Sequence, residues 1–90
     1  MEELAVAIGK KIREMRRTHG LSQDRFALVA GIDRSYMGRI ERGEVSITVE
    51  KLYRIAAALQ CEPTTFLPRM AFVSLPVPQK SNQDGRSSGS

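Results

Sequence analysis

Arg34, Ser35, Arg39 and Arg42 lie close together along one short segment, and their types suit a single kind of chemistry. A guanidinium can donate two parallel hydrogen bonds to guanine O6 and N7, or to phosphate oxygens, and a serine hydroxyl can reach either. Such groups can read and grip DNA. Charged helix faces are more often merely solvated. From spacing alone, an ordinary helical hairpin with a solvated face accounts for these residues equally well.

The surrounding sequence, residues 21–43, reads as two short helices joined by a glycine turn. Ser22 is placed to cap the first helix, with Asp24 in its first turn where negative charge suits the helix dipole. Phe26, Ala27, Val29 and Ala30 recur at helical spacing. Ala27 is small enough to let two helices approach closely. Gly31 ends the helix, because glycine tolerates the left-handed conformation of a sharp turn. Asp33 is placed to cap the second helix. Met37 and Ile40 face inward there, leaving Arg34, Ser35, Gly38 and Arg39 largely outward. One helix bracing another that projects basic and polar groups is the geometry of a helix-turn-helix.

Residues 20–43, G-L-S-Q-D-R-F-A-L-V-A-G-I-D-R-S-Y-M-G-R-I-E-R-G, resemble the Cro/C1-type (XRE-type) helix-turn-helix family. Residues 48–60, T-V-E-K-L-Y-R-I-A-A-A-L-Q, resemble that family's fourth helix. The run I-D-R-S-Y-M-G-R-I-E-R-G is similar to restriction-modification controller proteins, and also to many small bacterial and phage repressors. The resemblance implies an all-α, compact five-helix, lambda-repressor-like DNA-binding domain with a short C-terminal extension. It implies base contacts from Arg34, Ser35 and Arg39. It implies phosphate or sugar-phosphate contacts from Ser22, Gln23, Tyr36, Arg42, Ser46 and Thr48. Arg16 and Glu41 match a structural pair of the family, in which an arginine of the first helix bonds a glutamate near the end of the recognition helix. Two residues depart from the pattern. Gly38 sits mid-helix, where glycine costs roughly 0.5–1 kcal/mol relative to alanine. Glu44 puts a negative charge in a loop expected near phosphate.

The remaining elements must hold this unit. Leu4, Ile8, Ile12 and Met15 form an apolar stripe on a first helix over about residues 2–18, ended by Gly20. Thr48 is placed to cap a fourth helix whose inward face carries Val49, Leu52, Ala56 and Leu59, with Ile55 alongside. Pro63 fits the first position of a short fifth helix, and Pro68 ends it. Residues 1–68 therefore form the DNA-binding domain. Residues 69–78 form an apolar arm that either packs back on its own subunit or joins a dimer interface. The interface candidates are Phe66, Leu67, Met70, Phe72, Val73 and Leu75. Residues 79–90 are polar and are expected to be a disordered tail.

Ninety residues allow one domain, and a net charge of +4 favours an anionic partner. Cys61 is the single cysteine, which excludes an internal disulfide, fits a cytoplasmic setting and suits a buried structural thiol. His19 has no ligand partners, so neither a metal site nor a cofactor is expected, and no secretory signal or membrane-spanning segment is read. No nucleophile elbow or phosphate-cradling glycine loop points to an enzyme. The expectation is a sequence-specific double-stranded DNA-binding transcription regulator of bacterial or phage origin. It acts as a homodimer on a symmetric operator, with a polymerase contact as one route of regulation. The alternative is an antitoxin that binds a toxin protein and its own promoter.

Overall fold

The computed structural model describes residues 2–75. The chain opens with a two-residue strand β1 (Glu2–Glu3) and continues through α1 (Leu4–Thr18), α2 (Gln23–Ala30), α3 (Arg34–Glu41) and α4 (Val49–Ala58). A 3-10 turn over Pro63–Phe66 stands in the place of the fifth helix, with proline at its start. A second 3-10 turn, Met70–Phe72, leads into strand β2 (Val73–Ser74). β1 and β2 pair in parallel, Glu2 opposite Val73 and Glu3 opposite Ser74. The five-helix, repressor-like architecture is thus present, and the strand pair ties its two ends together.

Local chemistry sets the helix limits. Ser22 Oγ accepts from the Arg25 amide at 3.1 Å, Asp33 Oδ2 from the Tyr36 amide at 3.1 Å, and Thr48 Oγ1 from the Lys51 amide at 3.2 Å. Each satisfies a backbone donor that a helix start leaves without an internal partner. Gly31 closes α2 with φ +70°, a conformation that L side chains adopt at a steric cost. The amide of Ile32 then returns to the Ala27 carbonyl at 2.9 Å, which turns the chain sharply into α3.

The core is one cluster. Ile12, Phe26, Met37, Ile55 and Phe66 are wholly enclosed, with Ile8, Ala27, Ile40, Leu52 and Leu59 around them. Packing of α1 on α3, and of α2 on both α3 and α4, builds it. Gly9 decides the first of these contacts. A Cβ at that position would lie 2.5 Å from the Ile40 carbonyl oxygen and 2.7 Å from that of Glu41. No larger side chain fits there without moving α3.

Several expected inward residues lie outside this core. Val29 is 52% exposed and Val49 72% exposed, because α2 and α4 are each covered along one stripe only. Leu4 is exposed at the start of α1, since the chain before it turns into β1. Gly38, expected outward, is buried, because the Gln23 and Arg42 side chains lie across it. Cys61 is half-buried at the core's edge rather than enclosed. Of the candidate interface residues, Phe66 and Val73 are buried within their own chain, whereas Leu67, Met70, Phe72 and Leu75 are exposed. Residues 76–78 of the arm and the 79–90 tail lie outside the described residues.

Candidate nucleic-acid interface

The position of α3 follows from one buried ion pair. Arg16 on α1 donates from Nε to Glu41 Oε2 at 2.7 Å and from Nη2 to Oε1 at 3.0 Å. Its remaining fork nitrogen, Nη1, donates to the Leu21 carbonyl at 2.9 Å. Gln23 Nε2, at the start of α2, donates to the same Glu41 Oε1 at 3.0 Å. Both members of the pair are buried, and their hydrogen-bonding groups are engaged from three elements. A buried pair is tolerable only when it is bonded in this way. Arg16, Gln23 and Glu41 therefore fasten the C-terminal end of α3 to α1 and to the start of α2.

Beyond that anchor, the polar residues of α3 make separate pairwise contacts with their neighbours. Arg34, at the start of α3, pairs with Asp24 in the first turn of α2. Arg42 lies across Gly38 beside the Gln23 side chain: a Cβ at Gly38 would meet Arg42 Nη1 at 3.1 Å and Gln23 Oε1 at 3.3 Å. Arg42 donates to Glu44 through Nε at 2.8 Å and Nη2 at 3.3 Å, and Arg39 Nε stands 4.0 Å from the same carboxylate. The Lys51 ammonium lies 5.3 Å from the centre of the Tyr36 ring, linking the first turn of α4 to α3. Arg34, Ser35 and Arg39 are exposed, and Tyr36 is half-buried.

Electrostatics on this face are shaped by its own acids. A hydrogen bond from Arg42 holds the Glu44 carboxyl below the usual glutamate range, with the Arg42 and Arg39 charges adding to it and partial desolvation opposing. The Arg42 guanidinium is correspondingly raised by the Glu44 bond and charge. On α4, a hydrogen bond and charge from Arg54 lower the Glu50 carboxyl in the same way.

The polar groups keep donors for an outside anion. Ser22 and Thr48 use a hydroxyl oxygen as a cap acceptor, which leaves the O–H hydrogen to donate outward. Gln23 commits one amide hydrogen to Glu41 and has a second. Ser46 is set apart from the others. It lies with Val45 and Ile47 along a groove of about 280 Å³ bordered by Leu4, Ile8, Ile40 and Leu75. Two members of the face were not legible as site residues. Lys51 carries a local signal, a lysine one turn into a helix capped by Thr48. Asp24 carries none for its pairing, because Arg34 lies across the glycine turn and only the fold brings the two together. Among the described residues there is no group of His, Cys, Asp and Glu that could hold a metal ion, and no helix long and apolar enough to cross a membrane.

Comparison with known proteins bears on the same region. Residues 12–66 match the family model described as helix-turn-helix, HTH_3. The chain is 35% identical over 82 residues to the HTH-type transcriptional regulator SutR of Escherichia coli (strain K12), a match covering 89% of this chain and 46% of that one. The chain thus spans about half the length of that regulator. It is 32% identical over 62 residues to the control protein C.SmaI of Serratia marcescens, covering 69% of this chain and 74% of the other. The fold superimposes on the crystal structure of the restriction-modification controller protein C.AhdI from Aeromonas hydrophila with a TM-score of 0.69. That match has 38% identity and covers 70% of this chain and 96% of that one.

Proposed function

The chain belongs to the HTH_3 helix-turn-helix family, and from that premise we propose that it is a sequence-specific regulator of transcription that binds double-stranded DNA as a homodimer. The observation that carries the reading is the exposed polar and basic side chains of α3. Arg34, Ser35 and Arg39 project outward from a helix whose far end is locked to α1 and α2 by Arg16, Gln23 and Glu41. A helix held at a fixed angle can deliver side chains to base edges in the major groove. In this reading Arg34 and Arg39 donate in pairs to guanines, and Ser35 contacts a neighbouring base edge. Ser22, Gln23, Arg42 and Thr48 grip phosphates on either side, Tyr36 meets the sugar-phosphate backbone, and Ser46 follows in the loop. Lys51 joins the phosphate contacts.

The exposed Leu67, Met70, Phe72 and Leu75 support the dimer, since large apolar side chains left in water favour a covered state. Two copies then place their α3 helices in successive major grooves, on half-sites about 34 Å apart. The test is binding to the DNA upstream of the protein's own gene, with random duplex as competitor, across a salt series. Protection of two symmetric half-sites, with affinity falling steeply as salt rises, is the expected result. Binding without preference overturns sequence-specific regulation. Purification in complex with a second protein, in place of self-association, favours the antitoxin reading instead.

A further inference from the structure

Glu44 is an acid placed where phosphate is expected, and its geometry gives it a task. The turn that carries it is set by the backbone. Gly43 has φ +72°, its amide donates to the Ile40 carbonyl at 3.0 Å, and the Glu44 amide donates to the Arg39 carbonyl at 2.9 Å. A Cβ at Gly43 would lie 2.6 Å from Val6 Cα, so α1 closes over the turn. Glu44 is thus presented to Arg42 and Arg39 by the end of α3, independently of the ion pair itself. Its two oxygens take the Nε and Nη2 donors of Arg42, the same edge of the guanidinium that a phosphate or a guanine would use. All three side chains are about half exposed, so the arrangement can be displaced from outside.

We infer that Glu44 restrains DNA binding: its carboxylate occupies Arg42 and neighbours Arg39 as an internal stand-in for phosphate, which any DNA must displace. This rests on the DNA-binding reading above. A phosphate replaces one anion by another at Arg42 and leaves Glu44 facing the backbone, so that contact gains little. The displacement is the same whatever the base sequence, so Glu44 lowers affinity for random and cognate duplexes by a similar factor.

The experiment compares the wild-type protein with E44Q on two probes: a random-sequence duplex, and a duplex enriched from a random library by the wild type. E44Q is expected to bind the random duplex roughly two- to fivefold more tightly, the range set by an exposed ion pair. Its salt dependence on that duplex should steepen by about one phosphate contact. Affinity for the enriched duplex should rise by a similar factor, so the ratio between the probes holds. In an R42Q background the E44Q gain should vanish. Persistence of the gain there would assign it to net charge and overturn the inference. A gain confined to one probe, or no gain with wild-type binding intact, overturns the inference alone. Failure of the wild type to bind any duplex overturns the DNA-binding reading with it. Thermal melting of E44Q excludes misfolding as the source of any change.

Discussion

Arg34 and Arg39 carry the proposed base recognition, and each has a carboxylate nearby, Asp24 and Glu44 respectively. Replacing either arginine by alanine should weaken binding to the cognate duplex by about 1–3 kcal/mol and relax preference at the base it reads. An equal loss on random DNA would reassign that arginine to phosphate. Q23A should weaken all sequences alike, since the amide holds the Glu41 anchor and, in the proposed complex, meets phosphate rather than bases. Glu44 gives a pH-dependent signature. Its carboxyl is lowered in the folded protein, so the stability it contributes is present above the ordinary glutamate pKa and is lost as pH falls through the lowered value. A carbon-detected NMR titration should place the Glu44 midpoint below that of an unstructured glutamate. R42Q should return it upward, because the Arg42 hydrogen bond is the largest cause of the shift.

The helices respond to substitution according to what lies beside them as well as to propensity. G9A removes a weak helix former, yet it drives a methyl group into the Ile40 and Glu41 carbonyls. Overpacking of this kind costs about 1–3 kcal/mol. A domain of this size should lose roughly 4–8 °C of Tm for each kcal/mol. G38A is the opposite case. Its new methyl group meets the ends of two long side chains that can shift, and the helix gains about 0.5–1 kcal/mol in propensity. G38A should therefore melt at or above the wild-type temperature while G9A melts well below it, a contrast that one calorimetry run checks. Removing Glu41 should exceed both. E41A leaves Arg16 buried without its partner, a loss of about 3–5 kcal/mol read by chemical denaturation.

At the level of assembly, the two ends of the described chain meet. β1 and β2 pair, and Val73 is buried beside the start of α1. This uses part of the apolar arm inside one subunit and leaves Met70, Phe72 and Leu75 at its surface. For the proposed dimer, M70S together with F72S should shift sedimentation toward the monomer and leave a Tm independent of protein concentration, because both side chains are exposed in the single chain. Retained self-association would move the interface elsewhere. The monomeric variant should also lose the steepest part of its operator affinity, since one α3 then reads a single half-site.

How much could be read beforehand depended on the range of each interaction. The helix caps at Ser22, Asp33 and Thr48 and the turn at Gly31 act within four residues, so their residue types declared them. The five-helix architecture, the family and the Arg16–Glu41 pair were legible through resemblance. Which apolar residues the core would take was only partly readable. Periodicity marks a face, but Val29 and Val49 lie at the margins of theirs, and only neighbouring helices decide where a margin ends. Gly9, the Asp24–Arg34 pair and the β1–β2 register gave no local sign. Each depends on atoms far apart along the chain, and a glycine in a helix or an acid on a surface reads the same whether or not another element lies against it. By itself, then, the sequence determined the caps of α2, α3 and α4, the turn and the basic character of α3. The tertiary structure alone decided how closely α1 approaches α3, which acids attend the arginines, and where the arm goes, because those depend on distances that only packing sets.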